Sequence, residues 1–523
     1  MHGPRATGIS SRNAAGTQQT AAGTETVWAP RRLQEVRLRQ LDDLLAHQDT
    51  ASTELATERA ALLAAMDRRA EAQQAFIDIL RKTPDDFSAL NEFGALLTSM
   101  GAIAAACRVY SEAIARHPDN PIGHVNLANL LLKANEHGKA RLHYETALRI
   151  DPELRGAHQG LGAVLADLGD RAAAQLHFQK GFSGCAISTL PYRGNAPPIA
   201  VLQLVSSGGG NIPTGSFLDD RKFLVTVVVA DHADPKTELP PHQLVFNAIG
   251  DADLCRPALE AAAALIKRTR APLINDPRNI FKTGRIDNAR RLGRLKDVVA
   301  PRTVAMPRKT LEGVDAAAAV ADAGLRFPLL LRSPGFHTGR NFILVEQAGD
   351  LAAAVAGLPG DDLLVIEYLD ARGGDGNARK YRVMFIDGVA YPLHLAISRD
   401  WKVHYFTSDM AERPDHRAEE AAFLADMTAT LGAPAIKALQ RISDALGLDY
   451  GGIDFGVSRS GEVLLFEANA TMVVMQPSDE ERWAHRRAAV TRILDAVAAM
   501  LTQRLSVSTT PRKAGRPSRR RRH

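Results

Sequence analysis

A chain of 523 residues is too long for one ordinary core and calls for several domains, at roughly 100–200 residues each. Hydrophobic residues make up 45% and charged residues 24%, which excludes a wholly disordered, collagenous or coiled-coil chain. The net charge of +5 is local: Arg512, Lys513, Arg516, Arg519, Arg520, Arg521 and Arg522 crowd the last segment without an acid, so the remainder is slightly acidic.

No apolar run approaches the ~20 residues of a membrane helix. The first twenty residues lack the apolar core of a secretory signal. Cys107, Cys185 and Cys255 are too widely spaced for a disulfide framework or a metal pair, and a reducing cytoplasm is the expected location. Residues 1–49 read as a disordered or helical leader.

From residue 50 the chain repeats. Pro84, Pro118 and Pro152 are 34 residues apart, each closing the same pattern. One unit places Leu90, Phe93, Gly94, Leu97, Gly101, Ala106, Tyr110, Ala113 and Pro118 at offsets 4, 7, 8, 11, 15, 20, 24, 27 and 32. The next places His124, Leu127, Ala128, Leu131, Ala140, Tyr144, Ala147 and Pro152 there, and a third His158, Leu161, Gly162, Leu165, Gly169, Ala174, Phe178 and Gly181. A weaker upstream unit shares Leu63, Ala72, Phe76 and Pro84. The early offsets make one face of a first helix and the later ones one face of a second. Small residues at 8 and 20 permit close approach, and the aromatic at 24 fills the gap. This resembles the tetratricopeptide repeat. The expectation is a solenoid over 50–185 whose first helices offer Asn91, Asn126, Asn129, Lys133 and Gln159 to a peptide groove.

The YRGNAPP stretch suggests a linker over 186–198. Apolar runs at 199–205, 223–230, 244–249 and 271–274 then read as buried strands, with a helix over 258–270, the alternation of a parallel sheet. Gly208, Gly209 and Gly210 follow the first strand without GxGxxG spacing and read as a turn.

Beyond residue 327 come FPLLLRSPGFHTGRNFILVE (strand, glycine loop, strand), LLVIEYLD (a strand ending in a hinge), ARKYRVMFIDGVAYPLHLAIS (a hairpin turned at Asp387–Gly388) and LGLDYGGIDFGVSRSGEVLLFEANA (a second hairpin turned near Ser460–Gly461). Alternation points Glu467 and Asn469 to one face, where Asp454 can meet them across the hairpin. Two carboxylates and an amide oxygen suit hard Mg²⁺.

In this order the segments resemble the ATP-grasp fold, in its glutathione-synthetase and ribosomal-protein glutamate-ligase branch. The resemblance implies a small α/β pre-ATP-grasp domain over 199–285 and an α+β ATP-grasp domain over 286–505, with a disordered basic tail over 506–523. It implies ATP and Mg²⁺ as cofactors, with Asp454, Glu467 and Asn469 as metal ligands. Glu367, Tyr368 and Leu369 are then the hinge that receives adenine and ribose. Ser333, Gly335 and Gly339 lie in the loop over the phosphates, and Arg382 is a phosphate contact.

The sequence departs from that family at two lysines. Arg332 stands where one is expected, and Arg290, with Lys282 as rival, where the other is. Arginine keeps the charge but is not a neutral exchange. Arg332 and Arg382 are the expected catalytic cations, and His394 and Lys402 expected substrate contacts.

The implied activity is an ATP-dependent carboxylate–amine ligase working through an acylphosphate, on a small carboxylate and an amine, with a peptide or protein recruited by the repeats. The alternative is a non-catalytic ATP-binding scaffold for protein–protein interaction. The AGRPSRRRR tail loosely resembles a minor-groove hook, but Ala514 replaces its leading arginine; a nonspecific cationic tail is the expectation, with no membrane and no specific nucleic acid among the partners.

Overall fold

The computed structural model describes residues 31–47, 52–336, 339–405 and 407–509. Within the leader, helix Arg31–Ala46 packs on Thr53–Ala65, held by Arg37 to Glu58 at 2.8 and 2.9 Å. Four helix pairs follow: Thr53–Ala65 with Arg69–Lys82, Phe87–Ser99 with Ile103–Arg116, Pro121–Lys133 with His137–Ile150, and Arg155–Leu168 with Arg171–Phe182. This is a tetratricopeptide-like helical region with the period read from the prolines. Asp86, Asn120 and Asp170 cap helix starts through their side chains. Gly169, at φ 95°, ends a helix in the left-handed region. A Cβ on Gly94 or Gly162 would collide with the ring of Tyr110 or Phe178, so the small residue at offset 8 is fixed by the aromatic at 24.

At offsets 4 and 23 the first full unit carries Leu90 and Val109, whereas the next two carry histidines. His124 Nδ1 lies 3.0 Å from His143 Nδ1, and His158 Nδ1 lies 2.8 Å from His177 Nδ1. One ring of each pair must accept, so it must be neutral. Burial pushes His124, His143 and His177 below the ordinary histidine range; His143 and Arg149 add to this at His124, and His158 and Lys180 at His177, where Glu145 opposes them. The unfolded chain therefore binds protons that the folded one refuses. This stability is complete above about pH 6.5 and is lost as pH falls toward the depressed folded values. A melting series from pH 7.5 to 5.5 should show a drop that shrinks in His124→Leu/His143→Val. Equal drops would remove these pairs as its cause.

The stretch 186–198 is not a linker, as the sequence suggested. Strand β1 (Ile187–Thr189) pairs antiparallel with β3 (Phe223–Val229), Tyr192 is buried, and Arg193 pairs with Asp220. Backbone pairing outweighs the local turn composition there. Strand β3 runs parallel to β2 (Ile199–Val205), then come β4 (Leu244–Asn247) and β5 (Leu273–Ile274), also parallel. Helix Arg256–Leu265 precedes β5, shorter than expected because Ile266–Arg268 tightens into a 3₁₀ turn. The core of the last two repeats is continuous with this sheet, and the ring of His232 sits 5.3 Å from that of Phe182.

A second, antiparallel sheet has the order β7 (Thr303–Pro307), β10 (Asp362–Glu367), β8 (Leu329–Arg332), β9 (Phe342–Val345). The third has the order β12 (Val389–Ser398), β11 (Ala378–Ile386), β13 (Tyr450–Val457), β14 (Val463–Asn469), β6 (Val298–Val299); only β6 pairs parallel. Asp387 and Gly388 turn the β11–β12 hairpin with φ of 49° and 82°. Helix Pro414–Ala425 packs on β12, and helix Ala484–Thr509 covers β12 and β11. The latter helix carries regular structure past residue 505; the basic residues of the tail lie outside the described residues. Among the described residues no helix is long and apolar enough to cross a membrane.

Candidate functional site

One row of residues crosses four strands of the third sheet. His394 on β12 stands opposite Arg382 on β11, Arg382 opposite Asp454 on β13, and Asp454 opposite Glu467 on β14. Alternation adds Lys380, two residues before Arg382, and Asn469, two after Glu467. Register irregularities after Arg382 and after Asp454 adjust the side-chain directions beside the row.

Asp454 is 3% exposed. Arg382 grips it bidentately at 2.6 and 2.8 Å, and Lys380 Nζ lies 3.2 Å away. Burial disfavours its charge, but Arg382 and Lys380 outweigh burial and hold the carboxyl well below the usual range. For Arg382 burial is likewise overcome, by Asp454, and its pKa is raised. Nε and one Nη are thus committed to Asp454, and the other Nη remains for another acceptor.

Glu467, 30% exposed in its side chain, accepts from Arg285 at 2.7 Å and from the Asn469 amide at 2.8 Å. The Asn469 oxygen accepts from the Thr471 amide at 2.9 Å and its hydroxyl at 3.0 Å. Arg332, at the end of β8, lies within electrostatic reach of Arg285 and Glu467. It is 7% exposed, lies over the Phe342 ring with its guanidinium 5.5 Å from the centroid, and donates to the Phe336 carbonyl. Burial pushes it down to about 10; Arg285 pushes the same way, and Glu467, Asp251 and Asp253 oppose.

Ser333 is tied to the Pro359 carbonyl at 2.6 Å. Gly335 and Gly339 have φ of 83° and 70°, the region that favours glycine. Lys402 crosses this loop: its Cε would meet a Cβ on Gly339 at 2.8 Å, and its Nζ donates to the Phe342 carbonyl at 3.1 Å. Burial, and then Arg332, lower its pKa. His394 is 6% exposed, 4.8 Å from the Tyr405 ring, with no hydrogen-bond partner at Nδ1 among the described residues. Burial and Arg382 hold it neutral. At the end of β10, Glu367 and Arg302 exchange backbone and side-chain hydrogen bonds at 2.9 Å, and Tyr368 and Leu369 follow half-buried.

Arg290 is not brought to this group. Its side chain is 67% exposed and pairs with Asp287, while Lys282 binds Asn279 at 3.2 Å. Helix Arg285–Leu292 instead presents Arg285 to Glu467, because residues five apart on a helix do not share a direction. Arg285 and Lys380 are the members that sequence reasoning missed. Strand alternation from Arg382 could have found Lys380; nothing local marks Arg285.

The expected groove donors in the solenoid are largely spent on its own framework. Asn126 donates to Asn91 at 2.6 Å, bridging successive units; Tyr144 donates to Asn129 at 2.6 Å; Gln159 donates to the Gly181 carbonyl at 2.7 Å. Lys133, at the end of its helix, is exposed. Burial between helices makes these amides structural partners rather than open groove donors.

Asp454, Glu467 and the Asn469 amide oxygen are the donor types a hard cation takes. Yet Asp454 and Glu467 are already paired with three cations, Arg382, Lys380 and Arg285, and among the described residues no cluster of three or more His, Cys, Asp or Glu forms a metal site. A bare cation meets net positive charge here. A polyphosphate carrying its own cation would meet the opposite: the arginines and lysine could balance the phosphates, and Glu467 the metal.

No family model matches the chain, and no curated protein matches it. Among solved structures it is similar to MamA from Desulfovibrio magneticus RS-1, at 24% identity and a TM-score of 0.26, over 29% of this chain and 85% of that one. A second MamA crystal structure matches at 19% identity and a TM-score of 0.26, over 29% and 90%. A tetratricopeptide repeat protein from Parabacteroides merdae matches at 23% identity and a TM-score of 0.23, over 25% and 52%.

Proposed function

We propose that the chain is an ATP-dependent carboxylate–amine ligase. The observation that carries this reading is the row His394–Arg382–Asp454–Glu467, in which three part-buried cations, Arg382, Lys380 and Arg285, pair with two carboxylates, with Arg332 in electrostatic reach of Glu467. A substrate carboxylate oxygen attacks the γ-phosphorus of ATP; the bond to the β-bridging oxygen breaks, and an acylphosphate and ADP result. An amine nitrogen then attacks the acyl carbon, inorganic phosphate leaves, and the nitrogen gives up a proton.

Arg332 and the uncommitted Nη of Arg382 hold phosphate oxygens, whose charge grows over the transferred group. Asp454 aims Arg382. Glu467 and Asn469 would hold Mg²⁺, which supplies charge neutralisation between the phosphates. Lys402, with its depressed pKa, and neutral His394 face the acceptor side. The helical repeats bring a peptide or protein substrate, whose effective concentration rises by tethering.

The full chain should melt higher with Mg²⁺–ATP, by about 2.7 kcal/mol of added stability at a hundredfold excess over Kd. It should release ADP with one pair from a panel of amino acids, peptides and carboxylates. No shift with any nucleotide sinks the proposal. Arg332→Ala should lose about ten- to a hundredfold in nucleotide affinity or turnover, the value of one charge-assisted contact. Arg332→Lys keeps the charge but not the planar stack on Phe342, and should fall between. An unchanged Arg332→Ala protein would move the phosphate contact to Arg285.

A second reading is a nucleotide-binding scaffold without turnover. Asp454 favours it, because both its oxygens already have cationic partners. It requires nucleotide stabilisation with no ADP release from any pair in the same panel.

A further inference from the structure

The third full repeat, the last of the four helix pairs, meets the loop that follows β8 at the turn between its two helices. The turn at Gly169 and the first helical residue after it, Arg171, belong to the solenoid. The Phe336 ring lies 3.3 Å from where a Cβ on Gly169 would sit. A Cβ on Gly335 would collide with the Arg171 guanidinium and would stand 3.1 Å from Leu254 of the first α/β unit. Gly335 is thus seated in a notch with one wall from the solenoid and one from the parallel-sheet region. Its φ of 83° makes glycine necessary for a second, independent reason.

The contact leads on to the site. Phe336, held at Gly169, accepts through its carbonyl from the Arg332 guanidinium, and its ring carries the Arg340 guanidinium 5.6 Å from its centroid. From the solenoid turn to the buried arginine within electrostatic reach of Glu467 there are two residue contacts, Gly169 to Phe336 and Phe336 to Arg332. A shift of the third repeat must move the carbonyl that orients Arg332, because close-packed contacts transmit displacement rather than absorb it.

We propose that the third repeat is part of the nucleotide site, with Arg171 a positioning residue that seats the segment 333–336 and so aims Arg332. This rests on the ligase reading for the identity of the ligand. Arg171 touches neither nucleotide nor substrate; it fixes the loop that does. The solenoid is then more than a recruiting arm, since a peptide that displaces the third repeat changes nucleotide affinity, and nucleotide changes peptide affinity by the same factor.

The test compares the full chain with Arg171→Ala, Arg171→Lys, Gly335→Ala and the double variant Arg171→Ala/Gly335→Ala. Mg²⁺–ATP affinity is read by calorimetry, and melting is read without nucleotide. Arg171 is exposed, so Arg171→Ala should melt as wild type does. Arg171→Ala and Gly335→Ala should each bind about tenfold more weakly, and the double variant no worse than the worse single one, since both break one seat. Arg171→Lys should recover most of the loss. Arg171→Ala within twofold of wild type, or single effects that multiply, would overturn the proposal while wild-type binding left the nucleotide reading standing. A wild-type chain that ignores nucleotide overturns both.

Discussion

Replacing Asp454 by alanine is expected to cost about 3–5 kcal/mol of folding stability even without nucleotide, the usual penalty for removing one partner of a buried ion pair. Arg382 and Lys380 would keep their charges beside it without the carboxylate that pairs with both, in the interior strands of the third sheet. Asp454→Asn keeps the shape and one acceptor oxygen and should lose less. Urea unfolding of the two variants measures the difference. The depressed carboxyl also sets a sign: its contribution is complete above about pH 4, the ordinary aspartate value, and is surrendered only as pH falls through the lower folded value. If Asp454→Ala melted as wild type does, the pair would add nothing and the carboxylate would be free for another role.

Glu467→Gln carries the opposite expectation. Glu467 is partly exposed and paired with the partly exposed Arg285, so the loss to the unliganded fold should stay under about 1 kcal/mol. Nucleotide-dependent ADP release should vanish, because the amide keeps the shape but removes the negative charge that Glu467 offers a phosphate-bound cation. Melting without nucleotide and turnover with it separate the roles. A collapse of unliganded stability would make Glu467 a structural acid, and full turnover would remove it from the metal site.

Within the third sheet, much of the site could be read from the chain. Asp454, Glu467 and Asn469 sit in one hairpin, where strand period and turn length fix which residues meet; the same rule, applied from Arg382, would have found Lys380, which sequence reasoning missed. Arg285 and the rejected Arg290 mark the limit of such reading. Five residues along one helix separate them, and only the docking of that helix decides which reaches Glu467. The amides chosen for a peptide groove show the same limit, since polar offsets identify a face but not whether the next unit covers it.

The sequence by itself determined the solenoid. The contacts that set its repeat are local, within a helix pair or between one pair and the next, so the repeat of Gly94 with Tyr110 and of Gly162 with Phe178 is written in the spacing. It also determined the hairpins and their turns, for the same reason. Only the tertiary structure decided that residues 187–189 extend a sheet rather than link two domains, that Arg332 comes within electrostatic reach of Glu467 from another sheet, and that Arg171 meets Gly335. These join residues more than thirty positions apart, and no periodicity records such pairs; they exist because two surfaces, each stable on its own pattern, bury one another.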